Sequence, residues 1–150
     1  MAFTLSERIH LSYGTGRDPT EIALLDNVLT TQPTPSVLNA TGTLTAAMLL
    51  TSIVTSTTAA AVTATLDTGT LLETALLALY PALGVNDYFE FSVVNTGSNA
   101  FTIATAGGWT DGGNGFTAVA AGTSARFGVR RTAANAYTIF KIGASSLRIR

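Results

Sequence analysis

Histidine occurs once in this chain, as His10, and cysteine does not occur at all. Thiolate nucleophiles, disulfides and cysteine-type zinc sites are therefore excluded. A Ser-His-Asp triad would have only His10 to use, in a segment away from the packed regions, and a histidine metal site needs several ligands. Carboxylate pairs remain the candidates for acid–base work such as glycoside hydrolysis, Asp87 with Glu90 or Asp67 with Glu73. Each of these four has a structural reading. Asp87 closes the turn Gly84-Val85-Asn86-Asp87, and Asp67 opens the turn Asp67-Thr68-Gly69-Thr70. Glu90 falls on the strand face opposite Phe89 and Phe91, toward solvent or an interface. Glu73 is expected in a first helical turn, where a negative charge is favourable. No catalytic, cofactor-binding or metal-binding residue is assigned, and the chain is read as no enzyme, with no cofactor and no small-molecule substrate.

Other motifs carry weaker chemistry. Asp111-Gly112-Gly113-Asn114-Gly115 looks like a calcium loop but lacks the regular oxygen ligands and the closing glutamate. Gly14-Thr15-Gly16 is too short for a phosphate loop. Asn39-Ala40-Thr41 matches a glycosylation sequon, with no secretion signal beside it. Arg126, Arg130 and Arg131 suit phosphate, but exposed aromatics do not interleave with them, so no nucleic-acid partner is expected. Trp109 lies in a glycine-rich stretch. It could stack on a sugar; the favoured reading is a plug of the fold or an anchor of a subunit contact, where tryptophan is enriched.

The elements that must position these residues divide the chain into three. Residues 1–41 hold Pro19, Pro33 and Pro35 and one short helix, with Asp18 as cap and Glu21 to Leu25 within it. They read as an extended arm that gains order on a neighbour. Residues 42–143 read as the compact domain, with Thr45 capping a short helix over 46–50 and strands over 53–58 and 62–66. Leu72, Leu76 and Leu79 are spaced for a second helix that ends at Pro81. Phe89, Phe91 and Val93 alternate with Glu90 and Ser92, the pattern of a half-buried strand. Phe101 to Ile103 is expected to return as its partner, 116–120 to add a strand, and 126–130 with 137–142 to form a hairpin. The core is expected to hold Phe89, Phe91, Val93, Phe127, Val129, Ile139 and Phe140. Residues 144–150 form a basic tail. The fold class is mainly β, an antiparallel β-sandwich or jelly-roll-like domain with two short helices and an N-terminal arm.

Composition says what such a domain would do. Hydrophobic residues make up 47% of the 150 and charged residues only 11%, against about 25% in ordinary soluble domains. Threonine, serine, asparagine and glycine can solvate such a surface, but the favoured reading is burial between subunits. Residues 1–111 carry all nine carboxylates and only Arg8 and Arg17, a balance of −7, whereas 112–150 carry +6. This separation suits an acidic and a basic face that meet across copies, or cationic edge strands that prevent wrong pairing. Neither a signal peptide nor a membrane span is expected: 71–85 is short and interrupted by Glu73 and Pro81, and 44–66 is rich in threonine. The expected contact residues are Pro33, Pro35, Trp109, Arg126, Arg130, Arg148 and Arg150.

The order of these segments resembles a family. Leu44-Thr45-Ala46-Ala47-Met48-Leu49-Leu50 precedes a Thr/Ala/Val-rich strand and a leucine-rich helix. Then come Gly84-Val85-Asn86-Asp87-Tyr88-Phe89-Glu90-Phe91-Ser92-Val93-Val94-Asn95-Thr96, Phe101-Thr102-Ile103-Ala104, a glycine-rich turn and the hairpin from Arg126 to Ile142. Over 42–143 the pattern is similar to the capsid decoration, or cement, proteins of tailed bacteriophages and related virion domains. The resemblance implies a homotrimer on the outer surface of the capsid that clamps major capsid proteins, with residues 1–41 reaching across the shell. The alternative it leaves is a receptor- or glycan-binding domain of a head or tail fibre.

Overall fold

The computed structural model describes residues 31–146. The expected helix at 18–25, His10, Arg148 and Arg150 lie outside them. The described part is mainly β with two helices. In order it contains β1 (Ser36–Val37), β2 (Gly42–Leu44), α1 (Ala46–Leu49), β3 (Ile53–Ser56), β4 (Val62–Leu66), α2 (Gly69–Leu79) and β5 (Tyr88–Asn95). There follow β6 (Phe101–Ala104), β7 (Trp109–Gly113), β8 (Ala118–Val119), β9 (Thr123–Ala133) and β10 (Ala136–Ser146). Ser36 and Val37, inside the expected arm, pair with Val54 and Thr55 of β3.

The strands form one sheet in the order β1-β3-β5-β9-β10-β7 and another in the order β2-β4-β6-β8. From β1 to β6 the chain alternates between the sheets, so each winding lays one strand on each sheet beside the last. Pairs β1/β3, β3/β5, β2/β4 and β4/β6 are consequently parallel, as is β10/β7. Only β5/β9, β9/β10 and β6/β8 are antiparallel. The sheets are therefore mixed, where the alternation pattern led to an antiparallel expectation. Alternation reports which face is buried, and a parallel pair shows it as readily as an antiparallel one.

Hydroxyl and amide side chains tie one winding to the next. Thr57 N donates to Asn39 Oδ1 at 2.8 Å, and Thr63 N donates to Thr41 Oγ1 at 3.0 Å. This gives the threonine-rich stretch a structural use and occupies the side chain of the sequon asparagine. Buried Asn95 directs the next crossing. Its Nδ2 donates to Asn99 O at 2.8 Å and Val119 O at 3.0 Å, and its Oδ1 accepts from Gly97 N at 3.1 Å. The 96–100 turn thereby carries the chain to the opposite sheet, and Phe101–Ala104 joins β4 there instead of pairing with β5.

Both helices have threonine caps. Thr45 Oγ1 accepts from Met48 N, and Thr68 Oγ1 accepts from Leu71 N. Asp67 Oδ2 adds a bond from Ala46 N at 2.8 Å, satisfying a donor at the start of α1. The inward faces of both sheets and of both helices share one core containing Leu49, Val54, Ala64, Leu72, Phe101 and Ile103. Phe91 and Phe127 face each other in register and stack with centroids 5.2 Å apart. Val93, Val129 and Ile139 are buried as expected, while Phe89 is only partly covered. Phe140, expected in the core, occupies the other face of β10, where its ring lies over Gly112 of β7.

Candidate functional site

The end of α2 and the start of β5 enclose a hollow. Leu76, Leu79, Tyr80, Pro81, Ala82 and Leu83 form one wall, and Asp87, Tyr88, Phe89, Arg131 and Tyr137 the other. Its volume of about 580 Å³ falls inside the roughly 300–1,000 Å³ of ordinary ligand pockets. α2 creates the hollow by ending early. Pro81 cannot continue the helix, which stops at Leu79, and Leu79 is not buried as Leu72 and Leu76 are. Of the groove residues, Leu79 is 59% exposed, Tyr80 61% and Tyr88 51%. Singly exposed apolar residues need no explanation, but a group around one groove marks a contact surface.

The floor is a buried polar cluster. Gly69 at the start of α2 lies so close to the β9–β10 turn that an added Cβ would be 2.1 Å from Asn135 O. This approach lowers Glu73 onto Arg131 and Tyr137. Arg131 Nε donates to Glu73 Oε1 and Oε2 at 3.1 and 3.0 Å, and the Tyr137 hydroxyl donates to Glu73 Oε2. Glu73 is buried and lies beyond the first turn of α2, which corrects the expectation that it sits in that turn. The bond from Arg131 holds its carboxyl below the ordinary carboxylate value, ahead of burial, which opposes this. Burial first, and then the bond to Glu73, pushes the Tyr137 hydroxyl well above its ordinary value. Arg131 is thus neutralised where it lines the groove.

The other carboxylates within 31–146 are also engaged. Asp87 Oδ2 accepts from Gly84 N at 2.7 Å, closing the turn before β5. Glu90 accepts from the Tyr88 hydroxyl at 2.9 Å and meets Arg126 at 3.4 Å. Asp111 Oδ1 accepts from Gly113 N and Gly115 N at 2.9 and 2.8 Å, which is an Asx-type turn within the glycine-rich stretch. Among the described residues no group of three or more His, Asp or Glu is placed to hold a metal ion. No helix among them is long and apolar enough to cross a membrane.

The expected contact residues separate. Pro33 and Pro35 are exposed ahead of β1. Arg126 and Arg130 stand on the outer face of β9, Arg126 beside Glu90 and Arg130 donating to Asn86 Oδ1 at 3.1 Å. Arg126 also borders a smaller hollow of about 410 Å³ with Ile53, Ser92 and Gly143. Trp109 is not in a loop: it opens the edge strand β7, in register with Tyr137. Its indole is buried, tilted against Tyr137 at 5.7 Å, and donates to Asp67 O at 2.7 Å. That placement corrects its assignment to a contact surface and leaves it a plug of the core. The groove residues Leu79, Tyr80 and Leu83 went unassigned in the sequence reading. The signal for them was the apolar run Leu79-Tyr80-Pro81-Ala82-Leu83, which continues past the helix stop with no core periodicity.

No protein-family model, no curated protein and no solved structure matches the chain.

Proposed function

We propose that this chain is a structural subunit that works by packing. In its finer form the reading is a decoration, or cement, protein on the outer capsid surface of a tailed bacteriophage, trimeric and bound to major capsid proteins. One observation carries the packing role: Leu79, Tyr80 and Tyr88, each more than half exposed, line a hollow of about 580 Å³. Covering it removes apolar area from water at about 25 cal/mol per Å². A contact made only in the assembled state stabilises that state by mass action, and several linked contacts multiply the effect. The phage assignment rests on the resemblance of residues 42–143. Mass spectrometry and cryo-electron microscopy of particles from a culture carrying this gene test it. The expected result is the chain in purified virions as regular density outside the shell; its absence from them overturns the assignment.

A second reading is favoured by Tyr80, Tyr88 and Asp87 lining one groove, since aromatic faces beside a carboxylate suit a sugar. It makes the chain the glycan-binding domain of a fibre. Glycan-array binding abolished by Tyr80→Ala would establish it, and silence across the array would remove it.

A further inference from the structure

We propose that the groove between α2 and β5 seats the segment Leu147–Arg150 of a second copy of this chain. The inference rests on the packing role above and names the partner.

Chemical fit comes first. The groove walls are supplied by Leu76, Leu79, Leu83 and Phe89 among others, so its occupant must bring apolar side chains. Past Ser146 the sequence reads Leu147-Arg148-Ile149-Arg150. In an extended backbone, alternate residues point to opposite sides, so Leu147 and Ile149 share one side and the two arginines the other.

Charge agrees. The sequence contains no lysine or arginine between Arg17 and Arg126, and most of the groove wall comes from that cation-free stretch. Asp87 lines the groove, and its one cation, Arg131, is neutralised by Glu73. An occupant with two arginines meets the Asp87 carboxylate there, which an acidic segment would not favour.

Reach decides whose segment it is. Ser146 pairs with Thr123 at one end of β9, and the groove lies by Arg131 at the other. Eight strand residues separate those positions, about 26 Å at 3.3 Å each. Four extended residues cover about 14 Å. By contour length the segment 147–150 falls short of the groove of its own chain, so the groove it enters is a neighbour's. Such a head-to-tail contact is heterologous, and it generates a closed ring when the rotation between copies closes.

The test pairs solution mass with peptide binding. The full chain, a version cut after Ser146, and Leu79→Asp are compared by light scattering. A labelled peptide of residues 144–150 is titrated onto the cut version and onto the cut version carrying Leu79→Asp. Leu79 is exposed, so this substitution leaves the core intact; circular dichroism verifies folding. The expected results are an oligomeric full chain, monomeric cut and Leu79→Asp versions, and peptide binding at least about tenfold weaker in the substituted protein. Binding should also weaken as added salt screens the arginines. A cut chain as oligomeric as the full one, or peptide binding unaffected by Leu79→Asp, overturns the docking and leaves the packing role standing. A monomeric full chain overturns both.

Discussion

Gly69→Ala sets two physical effects against each other. Gly69 occupies the first position of α2, and its N–H donates to Gly107 O at 2.8 Å. Its φ is not in the left-handed region, so the backbone alone accepts alanine. Helix propensity then favours alanine by about 1 kcal/mol. Contact opposes it, because the new Cβ would lie 2.1 Å from Asn135 O and 3.2 Å from Gly108 Cα. Both are backbone atoms that no rotamer change removes. Restoring contact to about 3.5 Å requires the helix and the β9–β10 turn to part by more than about 1 Å. Glu73, one turn further along, would be drawn off Arg131 and Tyr137. Overpacking of this kind costs about 1–3 kcal/mol, and loss of geometry at the buried pair adds to it. The net expectation is destabilisation by about 2 kcal/mol, a fall in Tm of roughly 6–10 °C for a body of this size. Thermal unfolding by circular dichroism measures it. Gly107→Ala is the control: nothing lies within 4 Å of the added methyl, so its effect should stay within about 0.5 kcal/mol. An unchanged or higher Tm for Gly69→Ala would refute the seating of α2 on the turn.

Other expectations follow from the same contacts. Trp109, the only tryptophan, should emit as a buried indole and resist iodide quenching in the free chain; ready quenching would contradict its role as a plug. Asp67→Ala should cost about 1 kcal/mol by unsatisfying a donor at the start of α1, measured by urea unfolding. In an alkaline titration followed by tyrosine absorbance, Tyr137 should ionise above the ordinary tyrosine range, since burial and Glu73 raise its value. Glu73 has a lowered value in the fold, so its stabilisation is complete above its ordinary value of 4.5 and is lost as pH falls toward the folded value. Glu73→Gln should accordingly flatten the acid limb of the stability–pH curve, and an unaltered limb would exclude Glu73 as its source.

Local features were legible wherever the cause was local. Thr45 announced its helix because a cap needs only its own side chain and a donor three residues on. The alternation around Phe91 announced its strand, and the β9–β10 hairpin followed from two apolar runs around Asn135. Strand partners were not legible, because they depend on where a loop delivers the chain. Buried Asn95 turns Phe101 to the other sheet through bonds to Asn99, Gly97 and Val119, and nothing in the pattern of 101–103 reports that. The burial of Glu73 arises in the same way, from Arg131 fifty-eight residues away. Trp109 misled because its glycines suggested a loop, when several of them permit close approach of backbone and rings. Leu79 and Tyr80 were visible as apolar residues past a helix stop, and only the geometry shows that they stay uncovered.

Hydroxyl-radical footprinting of Tyr80 and Tyr88, in the free chain cut after Ser146 and in purified particles of the full chain, tests the central claim most directly. The account predicts strong labelling of both tyrosines in the free cut chain and marked protection in the assembly. Equal labelling in the two states would contradict it.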